Sequence, residues 1–285
     1  MSPEVKASRN GENFRLELGA LALEVDAKDG GRIIEFSLDG QNALVTRAES
    51  GAAYGSSFWP SPQSEWNWPP PVELDRDAWQ AAFTPQGLEL SSATNAALGL
   101  SASQRIRLEA APPSAVIDYT LHNHGAAARR VAPWQNSRVR PGGLTFYPSG
   151  AATLPHSALK LAPKDGVTFF AHDPASMKLN RKSFADGREG FLAHVDRELL
   201  FVKVFPDVPA NGAAPGEAEI EIYVDGAGKF VEVEQQGAFV EIPPGGTSSW
   251  SVRWLLERVP KDIVAPGNAT LVERARQLAA SAAPK

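Results

Sequence analysis

The sequence predicts an all-β protein, a large antiparallel sandwich with one short helix at its C-terminal end. Two observations carry this. Short segments alternating apolar and polar residues recur about fifteen times, the period of half-buried strands, and turn residues separate them at sandwich-like spacing. The only helical pattern is "NATLVERARQLAASAA", residues 268–283, where Leu271, Ala275, Leu278 and Ala279 form an apolar side and Asn268 suits the N-cap.

The elements follow in order. "FRLELG" and "LALEVD" place Phe14, Leu16 and Leu18, then Leu21, Leu23 and Val25, on single faces. "KDGG" reads as a turn, and "RIIEFSLDG" as a strand closed by the hairpin signal Asp39-Gly40. Comparable strands are "LGLSASQRIRLEA", "AVIDYTLHN", "RRVAPWQNSRV", "GLTFYP", "GVTFFAH", "GFLAHV", "LLFVKVF", "AEIEIYVDG", "KFVEVEQQ", "AFVEIPPGG" and "SSWSVRWLLERV". "PANGAAPGE", residues 209–217, is a long loop, so the chain reads as one domain over 1–285 with its core over about 14–260.

Composition narrows the function. The 285 residues are 43% hydrophobic and 21% charged, enough to bury a sizeable core. The net charge of −5, with basic residues only in ones and twos, argues against a nucleic-acid partner. No apolar run reaches the roughly 20 residues of a membrane span. Without cysteine there is no disulfide, thiolate metal site or cysteine nucleophile. His122, His124, His156, His172 and His194 lack zinc-motif spacing, no acidic segment has a calcium-loop pattern, and no glycine-rich phosphate loop occurs, so no metal or cofactor is expected. The polar N-terminus fits a cytoplasmic protein, or a periplasmic or secreted one whose signal peptide has been removed.

Three segments, taken in order, resemble the galactose-mutarotase-like (aldose 1-epimerase-like) superfamily, and most of all a bacterial branch of it: "GGRIIEFSLDGQNAL", "YTLHNHGAAARRVAPWQNSRVRPGG" and "FVEVEQQGAFVEIPPGGTSSWSVRW". The resemblance spans about residues 14–260. It implies an antiparallel β-supersandwich that binds a sugar on its concave face, with a glutamate base and histidines as acid and sugar ligand. The glutamate's counterpart is Glu234. Where the superfamily carries an Asn-His pair this chain has "PWQNSR", and where it carries its early histidine there is the stretch "GSSFWPSPQSEWNWPPP", Gly55–Pro71.

That stretch holds five prolines with Trp59, Trp66 and Trp68 and reads as a stiff aromatic loop. Trp59 and Trp66 offer flat apolar faces to a pyranose, and Gln63 a polar contact that orients it. On "KFVEVEQQ", Glu232 and Glu234 share a face, suiting acid–base work. Glu219, Glu221 and Tyr223 also share a face, read as a polar outer one. Trp134, Asn136 and Arg138 share a third. Lys203, set between Phe201 and Phe205 in alternation, either binds an acidic sugar with Arg138 or pairs with Glu232 or Glu234. His172, or a second carboxylate, is the candidate acid. Two functions stay open. One is a sugar mutarotase or epimerase with Glu234 as base. The other is a glycan-binding or accessory module of the same fold that has lost the catalytic histidines.

Overall fold

A computed structural model describes residues 4–149, 158–175 and 178–282; His156 lies outside them. Among the described residues there are 21 strands, in one eleven-stranded and one ten-stranded sheet, and every pairing between them is antiparallel. The larger sheet runs in the order Lys6–Asn10, Asn13–Leu18, Leu21–Asp26, Arg32–Leu38, Ser56–Ser61, Arg129–Val139, Val231–Gln236, Ile220–Val224, Arg181–Ala185, with two short strands paired alongside. The smaller runs Ala162–Lys164, Val167–Ala171, Leu144–Pro148, Phe191–Asp196, Leu199–Val204, Thr247–Arg258, Pro113–Asn123, Leu100–Ala110, Gly87–Ser91, Gln80–Thr84.

The expected alternation is what builds the core. Leu16, Leu23, Phe36, Ile117, Phe201, Val233 and Trp254 point between the sheets and form one apolar layer. On the ten-stranded sheet the opposite-facing residues Phe146, Phe169, Leu200 and Val202 form a second layer under the C-terminal helix. That helix spans Ala269–Ser281, its N-cap Asn268 accepts from the Leu271 N–H at 3.1 Å, and it buries Leu271, Val272, Ala275 and Ala279. The Asp39-Gly40 hairpin forms as expected, both residues taking positive φ (51° and 75°).

The strand count exceeds fifteen mainly because short strands carry too few residues to show a period. One correction is specific. The front of the Trp-Pro stretch, Ser56–Ser61, is a fully buried strand and not a loop. Prolines argue against a strand because they cannot donate to a ladder. Here Pro60 lies opposite Pro133, so two residues without an N–H face each other.

Candidate functional site

Cross-strand register assembles the site on the face of the eleven-stranded sheet turned away from the core. Asn136 lies opposite Glu234 and Ser57; Trp134 opposite Gln236 and Trp59; Arg138 opposite Glu232. Beyond Val231–Gln236, Glu221 lies opposite Glu234 and Tyr223 opposite Glu232. On the edge strand, Phe184 lies opposite Glu221 and Lys182 opposite Tyr223. Paired residues share a face, so five strands place aromatic and charged side chains in one field. The other faces of the same strands look inward. Gln135 donates to Tyr119 Oη at 2.6 Å and accepts from Gln235 and from Trp254 Nε1.

Glu234 is at the centre and fully buried. Its Oε2 accepts from Trp134 Nε1 at 2.7 Å and lies 3.4 Å from Lys182 Nζ. Its Oε1 has no partner within the protein, nor have the amide nitrogen and oxygen of Asn136 beside it. Burial pushes the Glu234 carboxyl up to about 7, the Lys182 ammonium opposing and the Glu232 carboxylate adding to the rise. Lys182 also pairs with Glu221, and its Nζ sits 4.6 Å from the centre of the Trp134 ring. Burial alone would lower Lys182, but Glu234 and Glu221 overcome it and hold its proton. Glu221 is itself raised, chiefly by burial; it accepts from Gln236 Nε2 and the Ala218 N–H. Glu219 and Glu221 are therefore not a solvated outer face. Both are buried, and Glu219 is fixed by the Val208 and Gly187 N–H groups.

The rest of the Trp-Pro stretch folds over this field. Trp59, Trp66 and Trp134 contact one another with ring centroids 5.4–6.3 Å apart. Trp59 Nε1 donates to Asp75, which pairs with Arg32; Trp66 Nε1 donates to the Pro60 carbonyl; and the Gln63 N–H donates to Glu217. Trp59 is 3% and Trp134 1% exposed, so neither presents an open face, whereas Trp68 at the tip is 68% exposed.

Not every expected residue gathers here. Arg138 does, in a buried ion pair with Glu232 at 2.9 Å. Lys203 does not: it points between the sheets, donating to Ser137 Oγ and the Val233 carbonyl at 2.8 Å each, with no carboxylate in ion-pair contact. Two residues from Phe201 on its strand, Lys203 shares that residue's inner face, on the other sheet from Glu232, Glu234 and Arg138. The Arg138–Lys203 pair expected for an acidic sugar is thus not formed. His172 ends a strand of the other sheet, where its Nδ1 accepts from the Gly142 N–H. All four described histidines belong to that sheet or border its strands.

One residue of the cluster, Lys182, was not singled out from the sequence, and another, Glu221, was read as part of a polar outer face. Lys182 sits in "RKSFA", too short to show its alternation with Phe184, and Glu221 had looked exposed. Among the described residues no three His, Asp or Glu side chains are arranged to hold a metal, and no helix is long and apolar enough to cross a membrane. A cleft of 790 Å³ lies on the ten-stranded sheet, where its side chains pair with each other: Ser251 with Asp118, Thr120 with Ser249, Arg105 with Glu89.

This two-sheet topology has counterparts among solved structures. A galactose mutarotase-like protein from Clostridium acetobutylicum superposes with a TM-score of 0.58 over 90% of this chain and 99% of its own, at 11% identity. The chain has the galactose mutarotase-like fold. A galactose mutarotase-like protein from Lactobacillus casei gives a TM-score of 0.58 over 89% of this chain and 100% of its own, at 8% identity. The Slr1438 protein of Synechocystis sp. PCC 6803 gives 0.58 over 91% and 98%, at 12%. No protein-family model matches the sequence, and neither does any curated protein. The strand Arg129–Val139 carries Trp134, Gln135 and Asn136 with no histidine, and a lysine–carboxylate group stands beside Glu234.

Proposed function

We propose that the chain binds a carbohydrate over Trp134, Asn136 and Glu234 and interconverts its anomers with Glu234 as the base. One observation carries this reading: Glu234 Oε1 and both polar atoms of the Asn136 amide are buried, adjacent and without a protein partner. An unsatisfied buried polar group costs about 1–3 kcal/mol, and a ligand's hydroxyls would recover that.

The chemistry needs a proton taken from the anomeric hydroxyl and one delivered to the ring oxygen. Glu234, raised to about 7, is half ionised near neutrality and accepts the first at Oε1. The Lys182 ammonium, in contact with both Glu234 and Glu221, is placed to supply the second. As Glu234 takes its proton, the charge that held the proton on Lys182 disappears, so the two transfers assist each other. The C1–O5 bond opens to the aldehyde, C1 rotates, and the reverse transfers close the ring. The Trp-Pro segment must lift for a sugar to enter, since Trp59 and Trp134 are covered.

That cover favours a second reading, a binding module without turnover, and so does the absence of a described histidine on this face. Anomeric exchange measured by NMR with neutral hexoses, pentoses and uronates separates the two. Acceleration by the wild type, abolished in Glu234→Gln, establishes the enzyme. Broadening of sugar signals without acceleration, lost on Trp59→Ala, establishes the binder. Neither effect with any sugar overturns the carbohydrate reading.

A further inference from the structure

The carboxyl groups around Glu234 outnumber the cations, and the imbalance bears on what the site accepts. Three carboxylates, Glu221, Glu232 and Glu234, face two cations, Lys182 and Arg138. Arg138 is consumed by Glu232. Lys182 is shared between Glu221 and one oxygen of Glu234. Arg32, nearby, already binds Asp75 and the Tyr54 carbonyl. The other oxygen, Glu234 Oε1, has no cation against it, and its partnerless neighbours include two further acceptors, Asn136 Oδ1 and Gln236 Oε1. The partnerless atoms of this patch are thus mostly acceptors, with Asn136 Nδ2 the donor among them. Aromatic faces complete the setting: the Trp134 ring 4.6 Å and the Phe184 ring 5.5 Å from Lys182 Nζ already hold one ammonium.

A buried carboxylate in excess has two remedies, a proton or a cation. The site is built for the second as well as the first. We infer that it prefers a sugar bearing an amino group, over the neutral parent sugar and against the corresponding uronate. The ligand's ammonium donates to Glu234 Oε1 and to the neighbouring amide oxygens, taking the place of the proton that burial otherwise keeps on the third carboxyl. A uronate would bring a fourth carboxylate to a field whose cations are already paired. This rests on the carbohydrate reading above and names the substrate class of the same site.

The test is a matched trio, glucosamine, glucose and glucuronate, with the corresponding galactose trio. Binding is followed by broadening of the sugar NMR signals and by tryptophan fluorescence at one pH below the amine's pKa. For the wild type the amino sugar is expected to bind about tenfold tighter than its parent, and the uronate at least tenfold weaker. Two variants shift the balance in opposite directions. Lys182→Met removes a cation and should widen the amino sugar's advantage. Glu232→Gln removes a carboxylate and frees Arg138, so it should narrow that advantage and admit the uronate. A general loss of packing cannot produce both signs. If the wild type binds the uronate as tightly as the amino sugar, or the two variants move the preference the same way, the inference falls while the carbohydrate reading stands. If no member of either trio binds, both fall.

Discussion

Replacing Lys203 with methionine should make the protein more stable at neutral pH and less stable at alkaline pH. The lysine is 1% exposed in the layer between the sheets, and burial holds its pKa well below the ordinary value. In the unfolded chain it is protonated below about pH 10.4. Above that pH both states are neutral and no penalty arises. As pH falls, the unfolded chain takes up a proton that the folded one refuses, and stability drops by about 1.4 kcal/mol per pH unit. A lysine that stays neutral in the fold from pH 10 down to pH 7 costs about 4 kcal/mol over that interval. Against this stand its two hydrogen bonds, to Ser137 Oγ and the Val233 carbonyl. Ser137 keeps Ser56 Oγ at 2.9 Å when the lysine is gone, so losing both bonds costs about 1–2 kcal/mol. Methionine fills most of the volume. On that basis the variant should be about 1–2 kcal/mol less stable near pH 10 and about 2–3 kcal/mol more stable at pH 7, with a crossing between. Urea unfolding of both proteins from pH 7 to 10 measures the difference directly. A difference that does not change with pH, or a variant several kcal/mol less stable at pH 7, would refute the argument by showing Lys203 charged and stabilised where it lies.

Other expectations follow from the same reasoning. Burial, with His172 and Arg140 nearby, holds His194 down to about 3, so stability should fall as pH drops from about 6.5 towards 3, and His194→Asn should flatten that fall in an acid unfolding series. Trp134→Phe removes the 2.7 Å hydrogen bond to Glu234 and should cost about 1–3 kcal/mol in urea unfolding. The same change takes away a group that lowers the Glu234 pKa, so any Glu234-dependent activity should move its midpoint to higher pH. Asn268→Ala deletes the cap of the C-terminal helix and should cost about 1 kcal/mol, read as a lowered Tm.

Much of this arrangement was legible in the sequence because a strand's period of two is unforgiving. It put Trp134, Asn136 and Arg138 together, and Glu232 with Glu234, and the structure sets these two groups opposite each other. Period alone does not say which face is buried, or whether a loop closes over the outer one. Glu221 looked solvated for that reason, although the Ala218 N–H and Gln236 wait for it under cover. Nor does it relate strands distant in the chain. Lys203 meets the Val233 carbonyl from between the sheets, on the far side of the strand from the Glu234 side chain, and Lys182 reaches Glu234 across 52 residues with no local signal. The prolines misled in a different way, since each discourages a strand singly while Pro60 and Pro133 permit one as a pair.

The central strand Arg129–Val139 is covered on both sides from Val131 onward, and this gives the site a fixed ruler. Slipping by one residue would send Trp134, Asn136 and Arg138 into the inter-sheet layer and turn Gln135 and Ser137 outward. Gln135, held by Tyr119, Gln235 and Trp254, blocks that slip from the far side. A glutamine on the inner face therefore sets where every outward residue stands. Outward side chains can be exchanged one at a time on an unchanged grid, as tiles on a floor, so new specificities can arise here without the frame being rebuilt.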